Sequence, residues 1–429
     1  MTATVLRSLR AREILDSRGH PTIAVEVTLG AGTRALAAVP AGASTGAHEA
    51  HERRDGDQER YRGRGVRQAV QAVEGEIQDA VIGLDAMDQR VVDDALNELD
   101  GTSDKSRLGA NALLGVSLAT ARAAAQCQGI PLYRHLGGLT ARILPAPFMN
   151  LLNGGAHARN RLDVQEFMIV PSGASTFGEA LRWGAEIFHV LADLLAEAGH
   201  GIGLGDEGGF APPLDSTEDA IEFLLRATER AGYQPGEQVG IALDAAAGEL
   251  LDNGRYRLKG EDLALEAGGL AAYWTALVDR YPIVSIEDPF GDDDWNAWQA
   301  FAATEGNRLQ IVGDDLFVTN VDRLDRGIRD RAANALLAKP NQVGTLSETL
   351  DAIRTAAAAG LGVIVSHRSG ETEDTTIADL AVGTGSGQIK TGSLARGERT
   401  AKYNRLLAIE DELGSGAQYA GWQALRRGR

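Results

Sequence analysis

Three carboxylates stand at the ends of short apolar segments in the second half of the chain. Asp244 ends residues 239–244, Glu287 ends residues 283–287 and Asp314 ends residues 309–314. Hard oxygen ligands without His or Cys suit Mg²⁺, which keeps its remaining positions for water and substrate oxygens. Acidic residues after a strand also cap helices, so each one alone has a second explanation. Their recurrence at three successive segments favours a metal site.

A lysine, Lys339, ends the next apolar segment. Lysine is scarce in this chain, which has only Lys105, Lys259, Lys339, Lys390 and Lys402. Arginine supplies the other cations, so a lysine that remains is a candidate for work that arginine cannot do, such as proton abstraction. Beside bound Mg²⁺ and in partly dry surroundings, the pKa of Lys339 is expected to be lowered, which suits a general base. A salt bridge with the carboxylates is the alternative.

The next two apolar segments, residues 362–367 and 388–390, each provide a cation. Arg368 directly follows the first of them, and Lys390 ends the second. The net charge of the chain is −18, which repels nucleic acids and anionic membranes. An anionic ligand therefore needs a local positive site. Arg368 and Lys390 are predicted to provide one, for a phosphate or a carboxylate.

Predicted loops contain further candidate active-site residues. Glu207 lies among glycines in residues 205–209, and Glu166 follows a glycine-containing segment, residues 153–158. Glycines permit close backbone approach, although a glycine-flanked acid also occurs in ordinary turns. Residues 41–46 are small and suit a lid.

The apolar segments repeat with helical stretches between them, and most end in a residue that could do chemistry. This pattern predicts an α/β fold with a TIM-type (β/α)8-like barrel, whose active site lies at the carboxyl ends of its strands. An open doubly wound sheet is the alternative, but it would not bring six consecutive strand ends to one point.

A smaller α+β domain is expected before the barrel. Alternating segments near residues 4–9 and 24–29 flank a turn at 16–21, and helical spacing covers residues 66–81, 87–99 and 109–126. We therefore expect an N-terminal capping domain at residues 1–137 and the barrel at 138–429. The charged N-terminal segment does not suit a signal peptide, and no apolar run is long enough for a membrane span, so a cytoplasmic protein is expected.

Over nearly its full length the chain resembles the enolase (phosphopyruvate hydratase) family. The segments that carry the resemblance are GASTG at 42–46, QEFM at 165–168, GDEGG at 205–209, SIEDP at 285–289, GDDL at 313–316, SHRSGETED at 366–374 and GQIKTG at 387–392. The resemblance implies a lyase that dehydrates 2-phosphoglycerate to phosphoenolpyruvate in glycolysis, with two Mg²⁺ per site. It also implies a homodimer or an octamer of dimers, with a possible second location at the cell surface.

The resemblance assigns roles to individual residues. Lys339 would remove the C2 proton, and Glu207, supported by Glu166, would protonate the departing hydroxyl. Mg²⁺ would be held by Asp244, Glu287 and Asp314, with a second ion at Ser44 when the loop closes. The substrate oxygens would be bound by Arg368, Ser369 and Lys390, and the pocket completed by Gln165 and His157.

Three departures from the usual family pattern leave alternatives open. Ala41 stands where serine is usual, residues 246–250 differ from the usual segment, and Pro340 follows Lys339. One alternative is an enolase-like enzyme of phosphonate natural-product biosynthesis that acts on a phosphoenolpyruvate-related compound. The others are a surface binding role and an inactive scaffold, although no reacting group is missing.

Overall fold

The computed structural model describes residues 3–42 and 46–425. The chain begins with an antiparallel sheet in the order β1-β2-β3, formed by β1 (Leu6–Leu15), β2 (Pro21–Leu29) and β3 (Arg34–Ala38). The two predicted strands are confirmed, but β1 continues to Leu15 and β3 lies outside the predicted elements. The end of β1 is rich in charged residues because one of its faces is exposed, which hides the strand in the sequence.

Five helices follow in the described part of the N-terminal domain: α1 (Arg67–Ala72), α2 (Gln78–Val81), α3 (Gln89–Asp100), α4 (Ala110–Gln128) and α5 (Leu132–Gly137). The three predicted helical segments are confirmed, with the first divided into α1 and α2 by a wider turn at 73–77. α4 is buried on nearly all sides and packs against β2 and β3, so it forms the centre of this α+β domain.

The rest of the chain alternates strands and helices. Its strands are β4 (Ile143–Leu144), β5 (Ala146–Asn153), β6 (Glu166–Val170), β7 (Gly240–Asp244), β8 (Leu251–Asp252), β9 (Arg255–Leu258), β10 (Leu263–Leu265), β11 (Ile283–Glu287), β12 (Gln310–Gly313), β13 (Ala335–Ala338), β14 (Gly362–Ser366), β15 (Gly387–Lys390) and β16 (Gln418–Tyr419). Its helices are α6 (Phe177–Glu197), α7 (Thr217–Arg230), α8 (Ala267–Arg280), α9 (Trp295–Glu305), α10 (Val321–Asp330), α11 (Leu346–Ala358), α12 (Thr376–Thr384) and α13 (Gly397–Leu413). No described helix combines the length and the apolar composition needed to cross a bilayer.

Eight of these strands close into a barrel in the order β11-β12-β13-β14-β15-β5-β6-β7. The six strands predicted from the repeating apolar segments are all present, each within one residue of its predicted ends. The barrel prediction is confirmed, and the open-sheet alternative is wrong.

The strand β6 runs in the opposite direction to the others. It pairs antiparallel with both β5 and β7, whereas the remaining neighbours are parallel. Its first residue, Glu166, is therefore opposite Asp244, the last residue of β7. The sequence placed Glu166 in a loop, and that prediction is wrong: a reversed strand brings its amino end to the functional face.

Alternation along the strands points the site residues into the barrel. Ala242, Val312 and Leu337 belong to one apolar cluster inside the barrel. Two positions after each of them comes a predicted site residue: Asp244, Asp314 or Lys339. Side chains two positions apart lie on the same face of a strand. Asp244, Asp314 and Lys339 therefore continue the interior rows beyond the apolar cluster.

The N-terminal domain is packed tightly against the barrel where α5 meets α12. A β-carbon placed on Gly137 would lie 1.9 Å from the carbonyl oxygen of Gly383. That separation is far below van der Waals contact, so only glycine allows these two backbones to approach so closely.

We predict that Gly137→Ala destabilises the protein by about 1–3 kcal/mol, because the added methyl group forces the two helices apart. Gly268→Ala is the matched control, since a β-carbon at Gly268 meets nothing within 4 Å and alanine favours a helix. Urea unfolding of both variants provides the measurement. Equal stability of Gly137→Ala and the parent protein would show that α5 and α12 can separate without cost.

Candidate active site

The carboxyl ends of the parallel barrel strands and the amino end of β6 surround a cavity. Ten of the residues predicted to form a site line it: His157, Gln165, Glu166, Glu207, Asp244, Asp314, Lys339, Arg368, Ser369 and Lys390. Glu287 does not line the cavity but contacts one of these residues directly. Ser44 lies outside the described residues. The structure therefore brings together side chains from strands and loops far apart in the chain.

The ammonium group of Lys390 lies among three buried carboxylates. Its Nζ is 3.1 Å from Glu166 Oε1, 3.0 Å from Asp244 Oδ2 and 2.8 Å from the Glu287 oxygens. Burial alone would favour the neutral amine, but the charge of Asp244, together with the neighbouring carboxyl groups of Glu166 and Glu287, outweighs it and holds the pKa of Lys390 well above its usual range. Lys390 is therefore a fixed positive charge at the centre of the site.

Lys339 is paired with Asp314 by a short contact between Nζ and Oδ2. Gln342 Nε2 donates a hydrogen bond to the other Asp314 oxygen at 2.9 Å. Burial favours the neutral amine, yet the charge of Asp314 outweighs it and raises the pKa of Lys339. The expected lowering supposed a neighbouring Mg²⁺. The groups of the chain itself act in the opposite direction and form the salt bridge that the sequence left as the alternative.

Glu207 and Glu166 form a pair of buried carboxylates with opposite tendencies. Burial and the charge of Glu207 hold the pKa of Glu166 well above its usual range. Burial also raises the pKa of Glu207, but the neighbouring His157, His367 and Arg399 outweigh burial. The pKa of Glu207 therefore lies well below the usual range. The two groups titrate together, with Glu166 keeping the proton and Glu207 the charge.

Imidazoles flank Glu207 on both sides. His157 Nδ1 is 3.6 Å from Glu207 Oε1 and 3.8 Å from Glu166 Oε1, while His367 Nε2 is 3.5 Å from Glu207 Oε2. Asn150 Nδ2 also donates a hydrogen bond to Glu207 Oε2 at 3.1 Å. Polar groups thus surround the Glu207 carboxylate. The His157 Nδ1 atom makes no hydrogen bond with any of the described residues.

Arg368 is held by an acidic residue from the N-terminal domain. Glu49 accepts hydrogen bonds from Arg368 Nη1 and Nη2 at 2.8 and 3.0 Å, and Asn341 Oδ1 accepts from Nη1 at 3.0 Å. This bidentate pair orients the guanidinium group that the sequence assigned to anion binding. Because Glu49 is separated from Arg368 by most of the chain, the sequence offered no signal for the contact.

Other contributors also escaped prediction. His367 ends a predicted strand, so its position carried a signal, but no role was assigned to it. Asn150 lies on β5, and Arg399 lies on α13, which are outside the predicted elements. Their importance follows only from contacts that the fold creates.

The departures from the family pattern leave the reacting groups in place. Ala41 pairs with Gly370 through backbone hydrogen bonds in both directions, which a serine side chain would not change. Ala246 lines the cavity with a φ of 42°, in the left-handed region, and its N–H donates to Asp244 Oδ1 at 3.0 Å. Pro340 begins a short turn directly after Lys339.

The donor set fits a divalent metal ion. The cavity lining contains the acids Glu166, Glu207, Asp244, Glu249, Asp288, Asp314 and Asp315, against the basic residues Lys339, Arg368 and Lys390. The effect of this excess of acidic groups is seen at Asp315, where burial and the charge of Asp314 raise the pKa to about 7. Clustered carboxylate oxygens short of positive charge are the environment that Mg²⁺ prefers.

An acidic cluster, a lysine and a pair of buried carboxylates thus lie together on the functional face of a closed barrel, an arrangement that suits acid–base chemistry beside a metal ion. Residues 6–136 match the family model for the N-terminal domain of enolase, and residues 141–427 match the model for its C-terminal TIM barrel domain. The chain belongs to the enolase family, whose members generally depend on Mg²⁺, and it is a lyase of the enolase superfamily.

We predict that Asp315→Asn stabilises the metal-free protein more at pH 8 than at pH 5. The folded-state pKa of Asp315, about 7, lies above its unfolded value, so ionisation of this group weakens the fold progressively as the pH rises from about 4 to 7. Asparagine cannot ionise, so the Asp315→Asn variant does not lose this stability as the pH rises. Urea unfolding in the presence of a chelator measures the effect, and the exposed Asp215→Asn serves as the control. An equal effect of Asp315→Asn at both pH values would contradict the raised pKa.

Proposed function

We propose that the protein catalyses the Mg²⁺-dependent, reversible dehydration of 2-phosphoglycerate to phosphoenolpyruvate. The observation that supports this most directly is that Lys339 and the Glu207–Glu166 pair line the same cavity. A reaction that removes a proton from one carbon and a hydroxyl from the next needs a base and an acid in one pocket.

Lys339 acts as the base in this proposal and removes the proton at C2. Its Nζ is buried on the side of the cavity that also holds Asp314, so burial favours the neutral amine while Asp314 opposes it. Asp244, Glu287 and Asp314 would hold Mg²⁺, which supplies electrostatic stabilisation for the substrate carboxylate.

The Glu207–Glu166 pair supplies the proton to the departing C3 hydroxyl. Glu166 keeps the shared proton, and Glu207 holds the charge. His157 Nδ1 is close to both carboxylates, at 3.8 and 3.6 Å, and can pass the proton between them. Glu207 then delivers it to the leaving hydroxyl, which departs as water, and this leaves Glu207 as a carboxylate. The pair takes up another proton before the next turnover.

Anion recognition falls to Arg368, Ser369 and Lys390, with Gln165 completing the pocket. Arg368 is oriented by Glu49 before any ligand binds, which reduces the ordering cost of binding a phosphate. A role for Ser44 at a second Mg²⁺ remains part of the proposal, as do the division into a capping domain at 1–137 and a barrel at 138–429. We also propose that the protein forms a homodimer or an octamer of dimers in the cytoplasm.

Isotope exchange separates the two proton transfers. We expect Lys339→Met to lose both the exchange of the C2 proton with deuterated solvent and the formation of phosphoenolpyruvate, each by at least about 1,000-fold. Glu207→Gln should lose product formation by about 100-fold or more and keep the C2 exchange, because only the second step needs its proton. NMR of the recovered substrate measures the exchange, with the exposed Lys259→Met as the control. C2 exchange at the parental rate in Lys339→Met would exclude it as the base.

Metal removal tests the remaining half of the proposal. Chelation should reduce turnover of 2-phosphoglycerate to background, and Mg²⁺ should restore it; Asp244→Asn should weaken Mg²⁺ binding measured by calorimetry. A folded parent protein that binds Mg²⁺ but dehydrates a phosphonate analogue instead of 2-phosphoglycerate would support the phosphonate-biosynthesis alternative. Turnover that survives complete chelation would contradict both functions.

A further inference from the structure

The fully buried Arg399 on α13 is connected to the catalytic face through His367. Arg399 Nη1 donates hydrogen bonds to His367 Nδ1 at 2.6 Å and to the carbonyl oxygen of Arg368 at 2.7 Å. Its Nη2 donates to the carbonyl oxygens of Ser369 at 2.6 Å and Asp206 at 3.1 Å. A permanent positive charge without solvent contact thus lies directly behind an imidazole of the site.

This contact fixes the tautomer of the imidazole. A guanidinium group has only donors and stays protonated, so the nitrogen that it contacts must carry a lone pair. The proton of a neutral His367 is therefore on Nε2, the atom that faces Glu207 Oε2 at 3.5 Å. His367 thus turns an N–H group toward Glu207, and Arg399 prevents the ring from being reversed.

The charges around His367 also keep it neutral. Burial disfavours the imidazolium form most strongly, Glu207 favours it, and the positive charges of Arg399, Lys390 and Lys339 disfavour it. The pKa of His367 consequently lies well below the usual range for histidine. Geometry and electrostatics lead to the same protonation state.

We propose that Arg399 is a positioning residue of the active site, which holds His367 as a neutral imidazole with its proton on Nε2 and so keeps an N–H group, which does not titrate, directed at Glu207. The two imidazoles beside Glu207 then have different duties. His367 holds the carboxylate in place, whereas His157, whose Nδ1 has no hydrogen-bond partner among the described residues, carries protons. This division of duties extends the proposed function and rests on it, but the protonation state of His367 does not.

Arg396 offers a matched control for the loop contacts of Arg399. It donates hydrogen bonds to the carbonyl oxygens of Gly205 at 3.2 Å and Ser17 at 2.7 Å. Arg396 therefore contacts one of the loops that Arg399 contacts, residues 205–209, yet none of its hydrogen bonds within the described part of the chain reaches His367 or Glu207. If Arg399 only held this loop in place, loss of Arg396 would have the same effect as loss of Arg399.

The test is ¹⁵N NMR of histidine-labelled protein between pH 6 and 8. In the parent protein and in Arg396→Met, we expect His367 to keep an unprotonated Nδ1 and a protonated Nε2 throughout. In Arg399→Met, the proton should be shared between both nitrogens or the ring should begin to titrate. A parent protein in which His367 carries a proton on Nδ1, or becomes charged in this range, would overturn the proposal.

Two substitutions of His367 keep the proposal testable if Arg399→Met does not fold. His367→Gln retains a neutral donor near Glu207 and cannot titrate, so its kcat should fall by no more than about tenfold, whereas His367→Leu should lose about 100-fold or more. The KM of both variants should stay close to that of the parent protein. Equal losses of kcat would mean that His367 must exchange its proton, contrary to the proposal. Absence of 2-phosphoglycerate turnover in the parent would refute the proposed function alone, since the NMR result needs no substrate.

Discussion

The buried ammonium group of Lys390 makes the rest of the site possible. Carboxylates from β6, β7 and β11 converge on it, and each would be costly to bury alone, by several kcal/mol, without an opposite charge. Because lysine is on a fourth strand, β15, the closed barrel and the charge balance depend on each other. The same arrangement leaves the cluster with more negative than positive charge, and a metal ion is the natural complement.

The sequence predicted the barrel because its signal is local. Six strands each combine a short apolar run with a polar residue at the carboxyl end, and a reader of the sequence needs no distant contact to recognise them. The β5–β6 pair lacked that signal. Glu166 begins its strand instead of ending it, so its direction became clear only when β6 was placed between its two neighbours.

Contacts between distant segments account for what the sequence could not provide. Glu49 reaches Arg368 from the other domain, and Arg399 reaches His367 from the last long helix. Neither pair has a fixed spacing or a recognisable motif. The effect of the chain's own groups on Lys339 was hidden for a similar reason: without a metal ion its pKa depends on the balance between burial and Asp314, and the sequence gives the identities of these groups but not their separation.

The position of β15 also determines when the site comes into existence. On one side β15 pairs with β5, which is the first strand of the barrel along the chain. Pairing of Lys390 with Phe148 therefore closes the longest loop in the barrel. Long-range closure is slow compared with the formation of neighbouring βα units. Until that seam forms, the acidic strand ends have no central cation, and a chain with most of its helices and strands in place still has no catalytic centre. Recovery of activity during refolding is thus expected to follow closure of this seam and not the gain of secondary structure.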